Sequence, residues 1–305
     1  MSATGNTPIR VGIAGWSYDD WNGTVYPPRT RDKLCYIAPF VDVIEINSSF
    51  YRTPTPRTVE SWVRRTENLP ALRFTAKLPQ EITHRQHLST DGIAAFRDAF
   101  LPMQEAGKLS HLLAQFRYDF GDTPAHRDHL KAVCDHFGDM PNLTLELRHG
   151  AWQQEEALDY ISGLGVTLAN LDYPVAQNGF DMQSRTIGEH AYMRLHGRNS
   201  EAWFDSKAGR DDTYNYRYSP DQIDAIAGRA VQIASLSKTL TLVANNHYKG
   251  KEVANALQIK ALLTGDEVDV PPMLAKTYPD LNAIRKRKQD VGELLGFDWS
   301  KTEDM

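Results

Sequence analysis

Three carboxylates and three cations stand at the ends of short apolar runs in this 305-residue chain. Glu45, Glu146 and Asp172 are the acids; Lys77, Arg148 and Arg194 are the bases. Alternation pairs them with further polar residues: Glu45 with Asn47, Glu146 with Arg148, Asn170 with Asp172, and Arg194 with His196. Residues two apart in a strand point to the same side, so each pair should face one cavity, joined by Lys77 and Gln115. Carboxylates beside fixed cations suit nucleophilic or orienting work, guanidinium and ammonium groups suit an anion, and an imidazole titrates near neutrality. We therefore expect catalytic roles for Glu45, Glu146, Asp172 and His196, and anion binding by Lys77, Arg148 and Arg194. The same balance of charges could form a neutral plug. Each buried ion, however, costs several kcal/mol of desolvation, and hydrophobic replacements are often as stable, so stability alone is a poor reason for the cluster.

The elements that must position these groups recur eight times. Apolar runs at 11–16, 41–47, 73–77, 111–115, 143–149, 166–172, 191–197 and 240–247 each end in charged or amide residues, and a helix-like stretch follows each. Eight strand-then-helix units predict a (β/α)8 TIM barrel, an α/β fold whose catalytic groups gather at the C-terminal strand ends. Val59, Trp62 and Val63 mark one helix, and Leu130, Val133 and Phe137 another, which starts near Thr123-Pro124 and stops at Gly138. Ser219-Pro220-Asp221 caps a third before Ile223, Ile226 and Ile233, and a fourth runs from Glu252 to Leu263. Long loops at 173–189 and 198–218, the second rich in aromatics, should wall the pocket. We expect one domain over 1–305, with the barrel at about 9–265 and an extension at about 266–305 that carries a basic run at 285–288.

Composition narrows the partners. A formal charge of −5 gives no global attraction to nucleic acid, so phosphate binding would need a local cluster. Two cysteines, Cys35 and Cys134, read as reduced, packed thiols, and the chain opens on no secretory leader. No apolar run approaches the ~20 residues that span a bilayer. The expectation is a cytoplasmic protein without membrane contact.

Several chemistries compete for the mouth. A metal would have Glu45, Glu146, Asp172, His196 and His247 to choose from, but the interleaved cations oppose a divalent ion, so no metal and no cofactor are expected. Glycoside hydrolysis could use Glu45 and Glu146 with the aromatics Trp16, Tyr18, Trp21, Phe50, Tyr51 and Trp152, yet the same cations hinder a general acid. An anion fits better. The segment Asn245, Asn246, His247 leads from a strand end into a helix N-terminus, where barrels often bind phosphate. Trp16, Tyr18, Tyr51 and His84 complete the expected ligand-binding set. Neither a P-loop nor a dinucleotide fingerprint is present.

Seven short motifs in order make the chain resemble the YecE-like family, the domain of unknown function numbered seventy-two. They are Gly15-Trp16-Ser17-Tyr18 with Trp21 and Gly23; 43–51, which holds Glu45 and Asn47; 74–77; 82–84; Glu146 to His149 with Trp152; Arg194 to Gly197; and Asn245 to His247. The resemblance runs from about Val11 to Gly265 and implies a TIM barrel with a site but no named reaction. The leading expectation is an enzyme of hydrolase or lyase type acting on a small anionic, phosphorylated ligand. The alternative is a nucleic-acid-binding or endonuclease-like barrel that uses the same cations for phosphate and the aromatics for stacking.

Overall fold

The computed structural model describes residues 7–174, 179–180, 186–205 and 207–286. Eight parallel strands close into a barrel in chain order. They are β1 (Ile9–Ala14), β2 (Val43–Ile46), β3 (Arg73–Lys77), β4 (Leu109–Gln115), β5 (Leu143–Glu146), β6 (Thr167–Asp172), β7 (His190–Leu195) and β8 (Thr239–Ala244). This is the (β/α)8 barrel that the polar-ended runs predict. Several strands stop short of those runs: β5 ends at Glu146 and β8 at Ala244, because the polar residues that follow leave the ladder to build the mouth.

Helices Pro56–Arg65, Thr90–Glu105, Pro124–Phe137, Glu155–Gly163, Pro220–Ala234 and Lys251–Thr264 surround the barrel. Local chemistry starts them. The hydroxyls of Thr55, Ser89, Thr123 and Ser219 each accept a first-turn N–H, and Ser219 forms a capping box with Gln222. The helices that follow the strands differ widely in length. β1 is followed by a helix of only five residues, Lys33–Ile37, with flanking 3-10 turns, and between β6 and β7 there is no helix among the described residues. The aromatic-rich loop after β7 contains two short helices, Ser200–Phe204 and Arg210–Thr213. Residues 175–178 and 181–185 of the loop after β6, residue 206, and 287–305, including half of the basic run, lie outside the described residues.

Ala14, Val43, Leu113, Ala169, Leu171, Tyr173, Tyr192 and Val243 fill the inside of the barrel, and a larger apolar cluster joins its outer face to the helices. Gly12 lets β1 and β2 approach closely: a Cβ there would sit 1.7 Å from the Val43 carbonyl oxygen. Both cysteines are free thiols, and among the described residues no helix is long and apolar enough to cross a membrane.

Candidate functional site

Pairing register decides which polar groups turn inward. Ala14 stands opposite Glu45, Gln115 opposite Glu146, and Arg194 opposite Leu171 and Val243, all on the inner face. Arg194 is fully buried and bridges two fully buried carboxylates. Its Nη2 donates to Glu45 Oε1 at 2.5 Å, and its Nη1 donates to Glu146 Oε2 and, at 3.1 Å, to Gln115 Oε1. Arg148 donates from Nε and Nη2 to Glu146 Oε1 at 2.9 and 2.6 Å, and the Tyr192 hydroxyl donates to Glu45 Oε2 at 2.8 Å. Burial pushes the Glu146 carboxyl up, but Arg194 and Arg148 pull it well below the usual carboxylate range.

His196 belongs to this charged floor rather than to an open cavity. It is fully buried, with Nδ1 3.1 Å from Asn245 Nδ2 and Nε2 3.4 Å from Glu146 Oε1. Burial drives its pKa down to about 3 against the pull of Glu146, so it is a neutral imidazole across the physiological range. The expected acid–base role would need a group that titrates near neutrality, and burial holds this ring below that range.

Above the floor lies a cavity of about 310 Å³. Its walls include Trp16, Tyr18, Asn47, Tyr51, Tyr214, Asn245 and His247, with the Lys77 side chain reaching in from the end of β3. Tyr18 and His247 stack face to face, centroids 4.5 Å apart, and the loop bearing His247 is pinned by Trp21 Nε1, which donates to the His247 carbonyl at 2.8 Å. Gly15 has a positive φ of 89°, and the Tyr18 hydroxyl lies 2.7 Å from where its Cβ would be, so the ring can fold back over the backbone. Lys77 is 8% exposed, with Nζ 4.5 Å from the centre of the Phe50 ring. Burial, reinforced by Arg194, lowers its ammonium from the ordinary 10.5 to about 7 although Glu45 and Glu146 oppose the change. His84 packs edge-on against Phe50, and burial with Lys77 nearby lowers its pKa to about 4.

Two expected members point elsewhere. Asp172 pairs in register with Leu195, on the outer face of β7, while Leu171 and Tyr173 take the inner positions. Its oxygens accept from Arg198 Nε and Nη2 at 2.8 and 2.6 Å and from the Tyr218 hydroxyl at 2.8 Å. Asn246 likewise turns outward from β8, donating from Nδ2 to the Tyr216 carbonyl and to Asn255 Oδ1. With Asp172 outside, the expected balance of three against three becomes three cations facing two carboxylates. One positive charge is left over.

Residues that the strand-end pattern did not single out also shape the site. Tyr192 shares Arg194's inner parity and was open to the same alternation argument. Trp203 and Tyr214 come from the aromatic-rich loop; Trp203 lies under the Arg148 guanidinium at 5.5 Å, and Tyr214 packs on His247 at 5.1 Å. Glu252 is fully buried in the first turn of Lys251–Thr264, and burial raises its carboxyl well above the usual range. An acid in a first turn reads in sequence as an ordinary complement to the helix dipole, which hides it. Among the described residues no three His, Cys, Asp or Glu side chains are grouped to hold a metal ion.

Comparison with known proteins agrees with this architecture. The UPF0759 protein YunF of Bacillus subtilis (strain 168) is 25% identical over 272 residues, covering 84% of this chain and 94% of YunF. A crystal structure of a DUF72 family protein from Thermotoga maritima MSB8 superposes with a TM-score of 0.74 at 26% identity, covering 84% of this chain and 99% of that one. One from Enterococcus faecalis V583 gives 0.75 at 23% identity, over 86% and 98% of the two chains. A family model described as a protein of unknown function, DUF72, matches residues 10–279. The chain belongs to that family, DUF72, of which YecE-like and UPF0759 are other names.

Proposed function

We propose that this protein is a small-molecule enzyme of hydrolase or lyase type whose mouth takes an anionic ligand bearing a phosphate or carboxylate. The observation that carries this reading is the surplus cation: Lys77 is buried at a pocket wall while both arginines are already held by carboxylates. A desolvated ammonium is costly, and an anion in the pocket relieves that cost. The guanidiniums then serve as a rigid floor that sets the local potential, and Lys77 is the group that meets the ligand. Aromatic walls around a 310 Å³ space suit a compact molecule held on several sides. The nucleic-acid alternative draws no support from the arginines, which are turned into the barrel rather than along a groove.

The test is anion-dependent stabilisation. Phosphate or sulfate at about 100 times its Kd should add about 2.7 kcal/mol of stability, read as a rise in Tm that Lys77→Met removes. Native mass spectrometry of freshly purified protein should show a small anion retained at the mouth. Steep salt-dependent binding of oligonucleotides without an anion-dependent rise in Tm would replace this reading with the nucleic-acid one.

A further inference from the structure

Among the described residues two lysines are buried, and they are treated differently. Lys108 is the ordinary case: its Nζ donates to the carbonyls of Thr66 and Leu69 at 2.9 and 2.8 Å. Lys77 is no more exposed than a core residue, yet among the described residues no carbonyl, hydroxyl or carboxylate takes a hydrogen bond from its Nζ. Its amine end faces the Phe50 ring and the pocket, and its backbone is fixed, the Ser49 hydroxyl donating to the Lys77 carbonyl at 2.8 Å. The second cation, Arg194, is held in the floor below by two carboxylates and cannot move away. A lysine whose head is shielded beside a fixed cation, and which donates to no acceptor among the described residues, is an amine kept available for reaction.

We propose that Lys77 is a nucleophile that condenses with the carbonyl group of a small anionic aldehyde or ketone to form a protonated imine in the pocket. This rests on reading the pocket as an anion site, and it names the substrate class: an oxo-acid or a phosphorylated carbonyl compound. The lone pair of neutral Nζ attacks the carbonyl carbon, forming the C–N bond while the carbonyl π pair moves to oxygen. That oxygen takes one proton from the nitrogen and a second from solvent and leaves as water. The product is a protonated imine that carries one positive charge, so the surplus cation survives the reaction and still matches the substrate's anionic group. No oxidant or reductant is needed. The imine draws electrons from the neighbouring carbon, which permits bond cleavage or proton loss there, the lyase branch of the proposed function. At neutral pH the lowered ammonium leaves a large fraction of Lys77 as free amine, whereas an ordinary lysine is almost wholly protonated.

The experiment is reductive trapping. The full chain is incubated at pH 7.5 with pyruvate, glyoxylate or glyceraldehyde 3-phosphate, each with cyanoborohydride, and then mapped by peptide mass spectrometry. Lys77→Arg and Lys77→Met are treated alike, and sulfate-dependent Tm is measured in all three proteins. At least one probe should label Lys77 more than about tenfold above any other lysine, given the difference in free-amine fraction. Lys77→Arg should keep the sulfate shift and lose the label, and Lys77→Met should lose both. If a variant fails to fold, the wild-type map decides by itself. Sulfate stabilisation with no preferential label from any probe overturns the imine and leaves the anion site standing. A label on Lys77 without sulfate stabilisation supports the imine and overturns the anion site. Neither label nor stabilisation overturns both.

Discussion

Replacing Arg194 with methionine tests whether the charged floor is built as described. The guanidinium is fully buried and bonded to Glu45 and Glu146, so Arg194→Met strands Glu45 with only the Tyr192 hydroxyl and leaves Glu146 with Arg148 and the His196 ring. Removing one partner of a buried pair costs about 3–5 kcal/mol, a large share of the ~5–15 kcal/mol that holds a typical domain together. At about 2–3 °C per kcal/mol for a chain of this size, Tm should fall by about 6–15 °C. Urea melts at several pH values check the cause. Glu146's folded pKa lies well below the ordinary 4.5, so its contribution to wild-type stability is fully present above that value. It is lost as pH falls through the folded value. The variant lacks much of that contribution, so its deficit should be largest near pH 7 and narrow below about 4.5. Adding Glu45→Gln to Arg194→Met should recover part of the loss, because Glu45 is the carboxylate left without a cation, whereas Glu146 still holds Arg148. A deficit below about 1 kcal/mol at pH 7, or one that widens toward acid, would refute the bridge.

Three further outcomes are expected. Lys77's folded value of about 7 lies below its ordinary 10.5, so its burial is penalised most fully below pH 7 and the penalty is relieved as pH rises between those values. Relative to Lys77→Met, wild-type stability should therefore improve by about 2–3 kcal/mol from pH 7 to pH 9, measured by urea melts; a flat difference would count against the desolvated ammonium. Asp172→Asn should cost about 1–3 kcal/mol through its lost bonds to Arg198 and Tyr218 while leaving the sulfate-dependent Tm shift intact, and loss of that shift would place Asp172 in the pocket after all. Gly12→Ala forces a Cβ onto the Val43 carbonyl and should cost more than about 3 kcal/mol; a soluble variant with unchanged Tm would mean that β1 and β2 are spaced differently.

The barrel was legible because polar residues end eight apolar runs in a row, and alternation then placed Glu45, Lys77, Glu146, Arg148, Arg194 and His196 on the inner face. It failed on β6 for a physical reason. Every residue of Thr167–Asp172 is buried, so the strand has no solvent side to reveal its parity, and two polar residues were as compatible with the outer face as with the inner. The partners that hold Asp172 outside, Arg198 and Tyr218, come from the two ends of a distant loop that local pattern does not pair with it. Asn245 and Asn246 are adjacent, so alternation admits only one of them to the mouth. His196 was legible in position but not in protonation, because its low pKa arises from burial in the assembled floor, which local pattern does not show.

Arg198 and Tyr218 do more than hold one carboxylate, since they open and close the segment that carries Trp203 and Tyr214. Both ends are moored to the same point on β6, outside the barrel, so the chain between them forms a closed excursion whose closure entropy depends only weakly on its length. Between those ends the segment is tied again where Asn246 donates to the Tyr216 carbonyl and Lys251 to Asn215, so its last residues keep step with the helix Lys251–Thr264 while changes of length earlier in it transmit little to the strand register. Such a design separates the charged floor from the aromatic walls that surround the pocket. On the proposed reading of the pocket, exchanging this segment between relatives should change which ligand binds and leave the floor intact.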